Sequence, residues 1–581
     1  MIEKYYEEEL RYLYDSGREF ARAHPDRAQF LNIDAVGDRD PYVERLFEGF
    51  AFLAGRIREK LDDSFPELTE GLINLLWPHF HHTIPSLTMI ECRPRKGHLQ
   101  EMRILPRGSE LLSNPVGSDA VICKFITTSD IMLNPISLLS IDKSVNARGH
   151  ASLTFNFEID NGVKWQNLTL NPLRMYLHAE LPTALALHQL LARHIVAAEV
   201  ILDNGSSVTP LDPATLTAPG GFSENESLLQ GDTRAFRGYE LLLEYFVYPE
   251  KFLFIDFRGF KVVKPIDPPP SRFSITVRFD RDFPENKPFG VENFKLHCSP
   301  AVNLFKQDTE PVVNTGRAIE YLVRADSHSR SYTTHSLISV VGVDRKSGER
   351  YVYEPFHTFK SIGKTGVRTY TTHFRQGLDN QRELFITIGG KQAEEGVLKE
   401  ENLSIEAWCT NGVLPREELR DGSITRGGQD FPDFVMVTNI TRPTLPCQPP
   451  PGQEYLWVFL SHLGATYTSF SSAAALKSFL KLYEWSHSEG RSRRIEAISN
   501  VEIQPVESLF GGSIVRGIEM AISLQESEFV DSGDLFLFGE VLKEFLAQYV
   551  SINSFLELVI IGRPSGKEIR WNSLKGKRCP I

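Results

Sequence analysis

The stretch from Asp40 to Phe80, DPYVERLFEGFAFLAGRIREKLDDSFPELTEGLINLLWPHF, constrains the fold of this chain more than any other, because caps, helical periodicity and stops all fall within it. Asp40 followed by Pro41 reads as an N-cap and a first helical residue. The carboxylate can accept a backbone N–H, and proline gives up only an N–H that has no intrahelical partner at that position. Val43, Leu46, Phe47, Phe50, Leu53, Ala54, Ile57 and Leu61 recur at three- and four-residue spacing. At about 3.6 residues per turn they gather on roughly a third of the helix circumference, a stripe expected to face the core. Pro66 opens a second helix with Leu68, Leu72, Leu75 and Leu76 on one face, and Pro78 stops it, so a helical hairpin is expected.

Upstream, residues 3–23 read as a first amphipathic helix with Tyr6, Leu10, Leu13, Tyr14, Phe20 and Ala21 on one face, ended at Pro25. The polar sides of these helices are not purely polar. Phe52 falls roughly opposite the Leu46, Phe50, Ile57 stripe among Arg45, Glu48, Arg56 and Glu59, and Tyr5 and Tyr12 lie away from Leu10 and Leu13. A helix with apolar groups on two sides packs on two sides, and aromatic groups ringed by charge are a common interface composition. The second contact is either with a partner or with the chain's own β domain. Tyr5, Tyr12 and Phe52, with Phe50 and Ile57 from the stripe, are the interface candidates.

Beyond Pro85 the texture changes to short alternating runs such as SLTMIECR and ASLTFNFEID, and Asn204-Gly205 between two such runs is a hairpin signal. One short helix, near Pro182 to Arg193, interrupts the strands. The run KPIDPPP, ending at Pro270, suits a linker or long loop, and TRPTLPCQPPPG, Thr441 to Gly452, is the strongest boundary signal. The fold expected is a multidomain α+β protein: an N-terminal helical bundle region (1–84), β-rich middle domains (85–264 and 271–440) and a mixed α/β C-terminal domain (453–581). In that last domain helices are expected at Ala473–Glu484 and Leu535–Val550, with strands around Ile495–Val506 and Gly517–Leu524.

With 581 residues, 41% of them hydrophobic, the chain can bury a sizeable core, and a net charge of −12 argues against a general nucleic-acid coat. The one compact basic run, Arg491 to Arg494, reads as a solvated loop. Six scattered cysteines without a C-x-x-C pair suit a reducing compartment, and neither a signal peptide nor an apolar run of about 20 residues occurs. A cytoplasmic protein without membrane insertion is the simplest expectation.

Chemistry is sparse. Gly363-Lys364-Thr365 and Gly389-Gly390-Lys391 resemble the tail of a phosphate loop, but Thr358 and Phe385 stand where the leading glycine belongs. His79, His81, His82, Cys92 and His98 are ligand types for zinc, yet adjacent histidines with no second spaced pair fit a helix end and a turn better. Acidic pairs such as Asp62-Asp63 are too common in this chain to signal catalysis. No cofactor, metal or catalytic residue is assigned, and a carbohydrate-active enzyme using a carboxylate pair has only composition in its favour.

The Asp40–His79 block, with Glu9 to Tyr14 before it and His24-Pro25 between, resembles the N-terminal signature of the TssF family, baseplate subunits of the bacterial type VI secretion system. TTSDIMLNPISLL from Thr127, YELLLEYFVYPEKFLFIDFRGF from Tyr239, LWVFLSHLGATY from Leu456 and FLFGEVLKEFLAQYVSINSF from Phe536 extend the resemblance over essentially the whole chain. It implies a non-enzymatic subunit of the baseplate wedge. Two copies are expected to join one TssG-like subunit through interlocked helices, and the wedge to meet TssK, TssE and the VgrG spike in a cytoplasmic assembly docked at the inner membrane through its partners. The family is similar to phage-tail wedge proteins, so a phage or prophage tail baseplate protein is the alternative.

Overall fold

The computed structural model describes residues 6–7, 9–16, 42, 44–55, 73, 78–145, 150–202, 207–229, 237–264, 269–315, 318–325, 331–356, 368–377, 382–390, 400–450, 455, 458–459, 467–510 and 513–577. The chain is a mixed α+β protein in which strands predominate among these residues. It divides into two compact units, Met1–Leu76 with Gly452–Leu460, and Trp77–Pro451 with Ser461–Ile581. Seven helices serve the argument: α1 (9–16) and α2 (44–55) in the first unit, and α3 (Leu181–Arg193), α4 (Arg237–Val247), α5 (Ala473–Lys481), α6 (Glu489–Glu496) and α7 (Ser532–Ala547) in the second.

Alternation makes the strands. In Ala151–Ile159 every second residue, from Ala151 through Phe155 to Ile159, is buried and those between are half-buried, as a period of two on a pleated sheet requires. Leu202 pairs with Ser207, closing the hairpin that Asn204-Gly205 announced. Pairing then runs far along the chain. Leu87–Pro94 lies between Cys298–Val302 and Val435–Asn439 in one six-stranded sheet, with Glu91 opposite both Cys298 and Thr438. Ile90, Cys92, Phe125, Ala301, Ile424 and Val437 meet in the core beneath it. Arg272–Phe279 pairs with Ala151–Ile159 on one side and Ile195–Leu202 on the other. Strand pairing therefore crosses the proline run ending at Pro270 instead of stopping there. The run leads from Phe254–Phe257 of one sheet to Arg272–Phe279 of another whose partner strands lie upstream, and a proline run does not distinguish that from a linker.

The C-terminal part is integral to the second unit. Asp531 caps α7 by accepting from the Asp534 N–H at 2.9 Å. Of the 16 residues of α7, 13 are buried, packed against α3, α4 and the strand Phe555–Arg563. Two glycines set the approach. A Cβ on Gly533 would stand 2.5 Å from the Leu185 carbonyl oxygen of α3, and one on Gly539 would stand 2.3 Å from the Trp571 ring.

The basic run differs from its expectation. Arg491 to Arg494 lie within α6, where residues three apart share a face. Arg494 is buried and donates to Asp534 of α7 at 3.0 Å and to the Tyr245 hydroxyl of α4 at 3.3 Å, while Arg491 donates to the Phe246 carbonyl. Two of the arginines thus tie three helices together, because a guanidinium leaves water readily when its donors find fixed acceptors.

Candidate interaction surface

Helix α2 turns a different face inward from the one its periodicity suggests. Ala51 and Gly55 are buried and Phe47 and Ala54 half-buried, whereas Leu46, Phe50 and Leu53 are 71%, 61% and 60% exposed, with helical Tyr42 at 86%. At about 100° per residue, Tyr42, Leu46, Phe50 and Leu53 span roughly 80° of the helix, centred about 120° from the buried group. The expectation that Leu46, Phe50 and Leu53 form the core stripe is therefore corrected. The small residues Ala51, Ala54 and Gly55 let neighbouring chain come close, since interaxial distance follows side-chain size at the contact. The large residues are left outside as a contiguous apolar ridge.

Phe52, 44% exposed, stands on a third side, about 120° from that ridge. Tyr12 of α1 is 67% exposed, while Leu10, Leu13 and Tyr14 of the same helix are half-buried, the Tyr14 ring lying 6.0 Å from that of Phe47. Tyr5 and Ile57 lie outside the described residues, as does all but Ile73 of the helix expected between Pro66 and Pro78. Of the five interface candidates, then, Tyr12, Phe50 and Phe52 are described and all three are exposed. The sequence did not single out Tyr42, Leu46 and Leu53 as interface residues. No local signal separates them from a core stripe, because a core-facing helix shows an apolar face of this width.

The second unit offers little that resembles a reaction centre. A cavity of about 520 Å³ lies where Glu91–Lys96, Ile136–Leu138 and Phe294–His297 meet. Its one buried carboxylate, Glu91, takes both forks of Arg93 at 2.8 and 2.7 Å. Burial holds the His297 imidazole on its wall neutral, down to about 4. In the large sheet, buried Glu401 accepts from Asn314 at 2.8 Å, Arg368 at 2.9 Å and the Tyr353 hydroxyl, so its lone pairs serve the fold.

The histidines pack as rings. His82 stacks on His335 at 5.0 Å, His81 meets Phe374 edge-on at 5.5 Å, and His335 Nε2 donates to the Thr83 carbonyl at 3.0 Å. Burial, with Arg382 second, pulls His81 down to about 3. Cys92 sits in the core with its thiol pushed up to about 12 by desolvation, and His98 is exposed. Among the described residues no three His, Cys, Asp or Glu side chains are placed to hold a metal ion. No helix among them is long and apolar enough to cross a membrane.

Comparison with known proteins gives a consistent result. The family model described as type VI secretion system, TssF matches residues 1–578. The chain is 29% identical to type VI secretion system component TssF1 of Pseudomonas aeruginosa, over 99% of this chain and 98% of that one. Among solved structures it is similar to a chain of the type VI secretion system TssK-TssF-TssG baseplate subcomplex, at 34% identity and a TM-score of 0.79, covering 91% of this chain and 98% of that chain. A chain of the baseplate complex from the type VI secretion system matches at 32% identity and a TM-score of 0.64, with both chains covered in full.

Proposed function

The chain belongs to the TssF family of the type VI secretion system, and on that premise we propose that it is a non-catalytic wedge subunit of the baseplate whose α2 ridge is the surface that holds its partners. In this reading two copies of the chain clasp one TssG-like subunit through interlocked helices. The wedge then meets TssK, TssE and the VgrG spike, on the cytoplasmic side of the inner membrane and docked there through its partners.

The observation that carries the reading is the exposed ridge of Leu46, Phe50 and Leu53. Side chains of this size stay in water at a cost of about 1.5–3 kcal/mol each relative to burial, and a row of them on one helix face is suited to laying against another helix. Arg45, next to Tyr42 around the helix, borders the ridge with a charge. A contractile machine held in a poised state needs subunits with several separable interfaces, and a helical unit joined to a large β-rich one supplies them.

Co-expression with the TssG-like subunit tests it. Leu46→Asp with Phe50→Asp should leave the melting of the lone chain unchanged and abolish capture of that subunit. Full capture by this double variant would refute the assignment of the ridge.

A further inference from the structure

One patch of the second unit gathers charge of a single sign and leaves it unpaired. The strand Val435–Asn439 runs out toward Arg442, and the turn at Arg420–Ser423 is fastened to its last residue. The Asn439 side chain donates to the Arg420 carbonyl at 2.9 Å and accepts from the Ile424 N–H at 2.9 Å, and the Asn439 carbonyl accepts from the Gly422 N–H at 2.9 Å. A short helix, Leu414–Glu418, brings Arg416 to the same place. Arg442 closes on the Arg416 carbonyl with Nε at 3.2 Å and Nη2 at 2.8 Å, while Arg416 Nη1 donates to the Pro443 carbonyl at 3.1 Å. Both side chains are held by backbone oxygens, which fix their direction without neutralising them.

The Arg420 guanidinium acts on the same spot. Desolvation, followed by the charges of Arg416 and Arg420, pulls the Arg442 pKa below its ordinary value, and Asp421 is the carboxylate that opposes the shift. Exposed arginines elsewhere find a closer counter-ion: Arg278 pairs with Glu199 at 3.0 Å, Arg516 with Glu507 at 3.1 Å and Arg570 with Glu519 at 3.1 Å. Among the described residues Arg416, Arg420 and Arg442 form no ion pair. A guanidinium carries more N–H donors than these carbonyls use, and Arg420 and Arg442 are exposed, so donors are left over for a ligand. Like charges held together without a counter-ion carry a repulsion that a bound anion relieves.

We infer that Arg416, Arg420 and Arg442 form a docking site for a carboxylate on an acidic segment of another protein. Sign and geometry choose the occupant. A fixed guanidinium fork matches the two oxygens of a carboxylate. Exposed Glu417, Glu418 and Asp421 alternate with the arginines, and the chain as a whole carries a net charge of −12. A nucleic acid or an anionic lipid surface, charged all along its extent, meets repulsion around the patch, whereas a discrete carboxylate fits between the acids. A second copy is disfavoured by symmetry. A two-fold axis here would set the arginines against one another, and any other arrangement of identical chains runs head to tail into rings or filaments. The site belongs to the second unit, and its test needs no baseplate partner.

The full chain is titrated with a fluorescent peptide of alternating glycine and glutamate and, separately, with the glutamine counterpart. The glutamate peptide should bind about tenfold more tightly. The Arg420 side chain makes no hydrogen bond or ion pair among the described residues. Arg420→Gln should therefore leave melting unchanged and weaken the glutamate peptide about threefold. Asp421→Asn should tighten it about twofold, a gain that a damaged fold would not give. Equal binding of the two peptides overturns the site, as does binding indifferent to both variants. Inorganic phosphate or phosphatidylglycerol vesicles held more tightly than the glutamate peptide overturn the choice of carboxylate. Self-association of the lone chain in sedimentation, abolished by Arg420→Gln, overturns the choice of a different protein.

Discussion

Helices α2 and α7 are both rich in large apolar residues, yet one wears them outside and the other buries nearly all of them. In α7, α3, α4 and a strand close over three sides, and glycines at 533 and 539 remove the Cβ atoms that would hold those neighbours away. In α2 the small residues Ala51, Ala54 and Gly55 occupy the inward face, and Leu46, Phe50 and Leu53 remain in solvent. The difference teaches that an apolar stripe states a demand for a partner without saying whether the partner belongs to the same chain.

Variants can break this comparison. The largest effect on the isolated chain is expected from Phe538→Ala in α7. Phe538 is fully buried, and truncation there should destabilise the second unit by about 3–5 kcal/mol, seen as an early thermal transition. A variant melting like wild type would mean that α7 is not the core helix its packing indicates. Gly533→Ala is expected next, at about 1–3 kcal/mol, since the added methyl overlaps the Leu185 carbonyl, which is backbone and cannot swing aside.

The α3–α7 contact also holds His188, fully buried beside Phe536, with neither ring nitrogen meeting a hydrogen-bond partner among the described residues. Desolvation pulls its pKa from 6.5 to about 4. Because the folded value is the lower one, the unfolded chain takes up the proton first. Stability present above pH 6.5 is lost as pH falls toward 4, by about 1.4 kcal/mol per unit. Glu240 opposes this. Burial, with Glu244 second, raises it to about 7, so its contribution is present below 4.5 and is lost as pH rises through 7. Comparing His188→Leu with wild type at pH 7.5 and pH 5 isolates the histidine: the variant's relative stability should rise by about 2 kcal/mol at the lower pH. An equal difference at both values would show that His188 has no depressed pKa.

The smallest effect sharpens the comparison most. Leu46→Ala and Phe50→Ala, truncations as large as those that cripple a core, should each change the melting of the lone chain by no more than about 0.5 kcal/mol, because the side chains are already in water. Either one melting early would return α2 to the core.

Much of the architecture was legible, unevenly. The helix near Pro182, the hairpin around Asn204-Gly205 and the alternation through Ala151–Ile159 follow from signals spanning a few residues, and they stand where the spacing places them. The ends of the long C-terminal hairpin were less legible. Its strands reach Phe510 and Ser513, beyond the expected Val506 and Gly517, and the sequence between them is Gly511-Gly512, a turn signal. The expected solvated loop at Arg491–Arg494 is a helix in which Arg494 is buried and Arg491 half-buried, since charge alone does not reveal that Asp534 and Tyr245 wait opposite.

By itself, then, the sequence determined most element types among the described residues and the family, through the Asp40–His79 block and the likeness along the whole chain. Tertiary structure alone decided that Leu87–Pro94 lies beside Val435–Asn439, that Gly533 meets α3, and that α2 turns its small residues inward. The physical reason is range. Helical and strand periods, caps and turns act over a few residues, whereas burial depends on what packs opposite, brought there across hundreds of residues or, for a ridge left in solvent, from another chain.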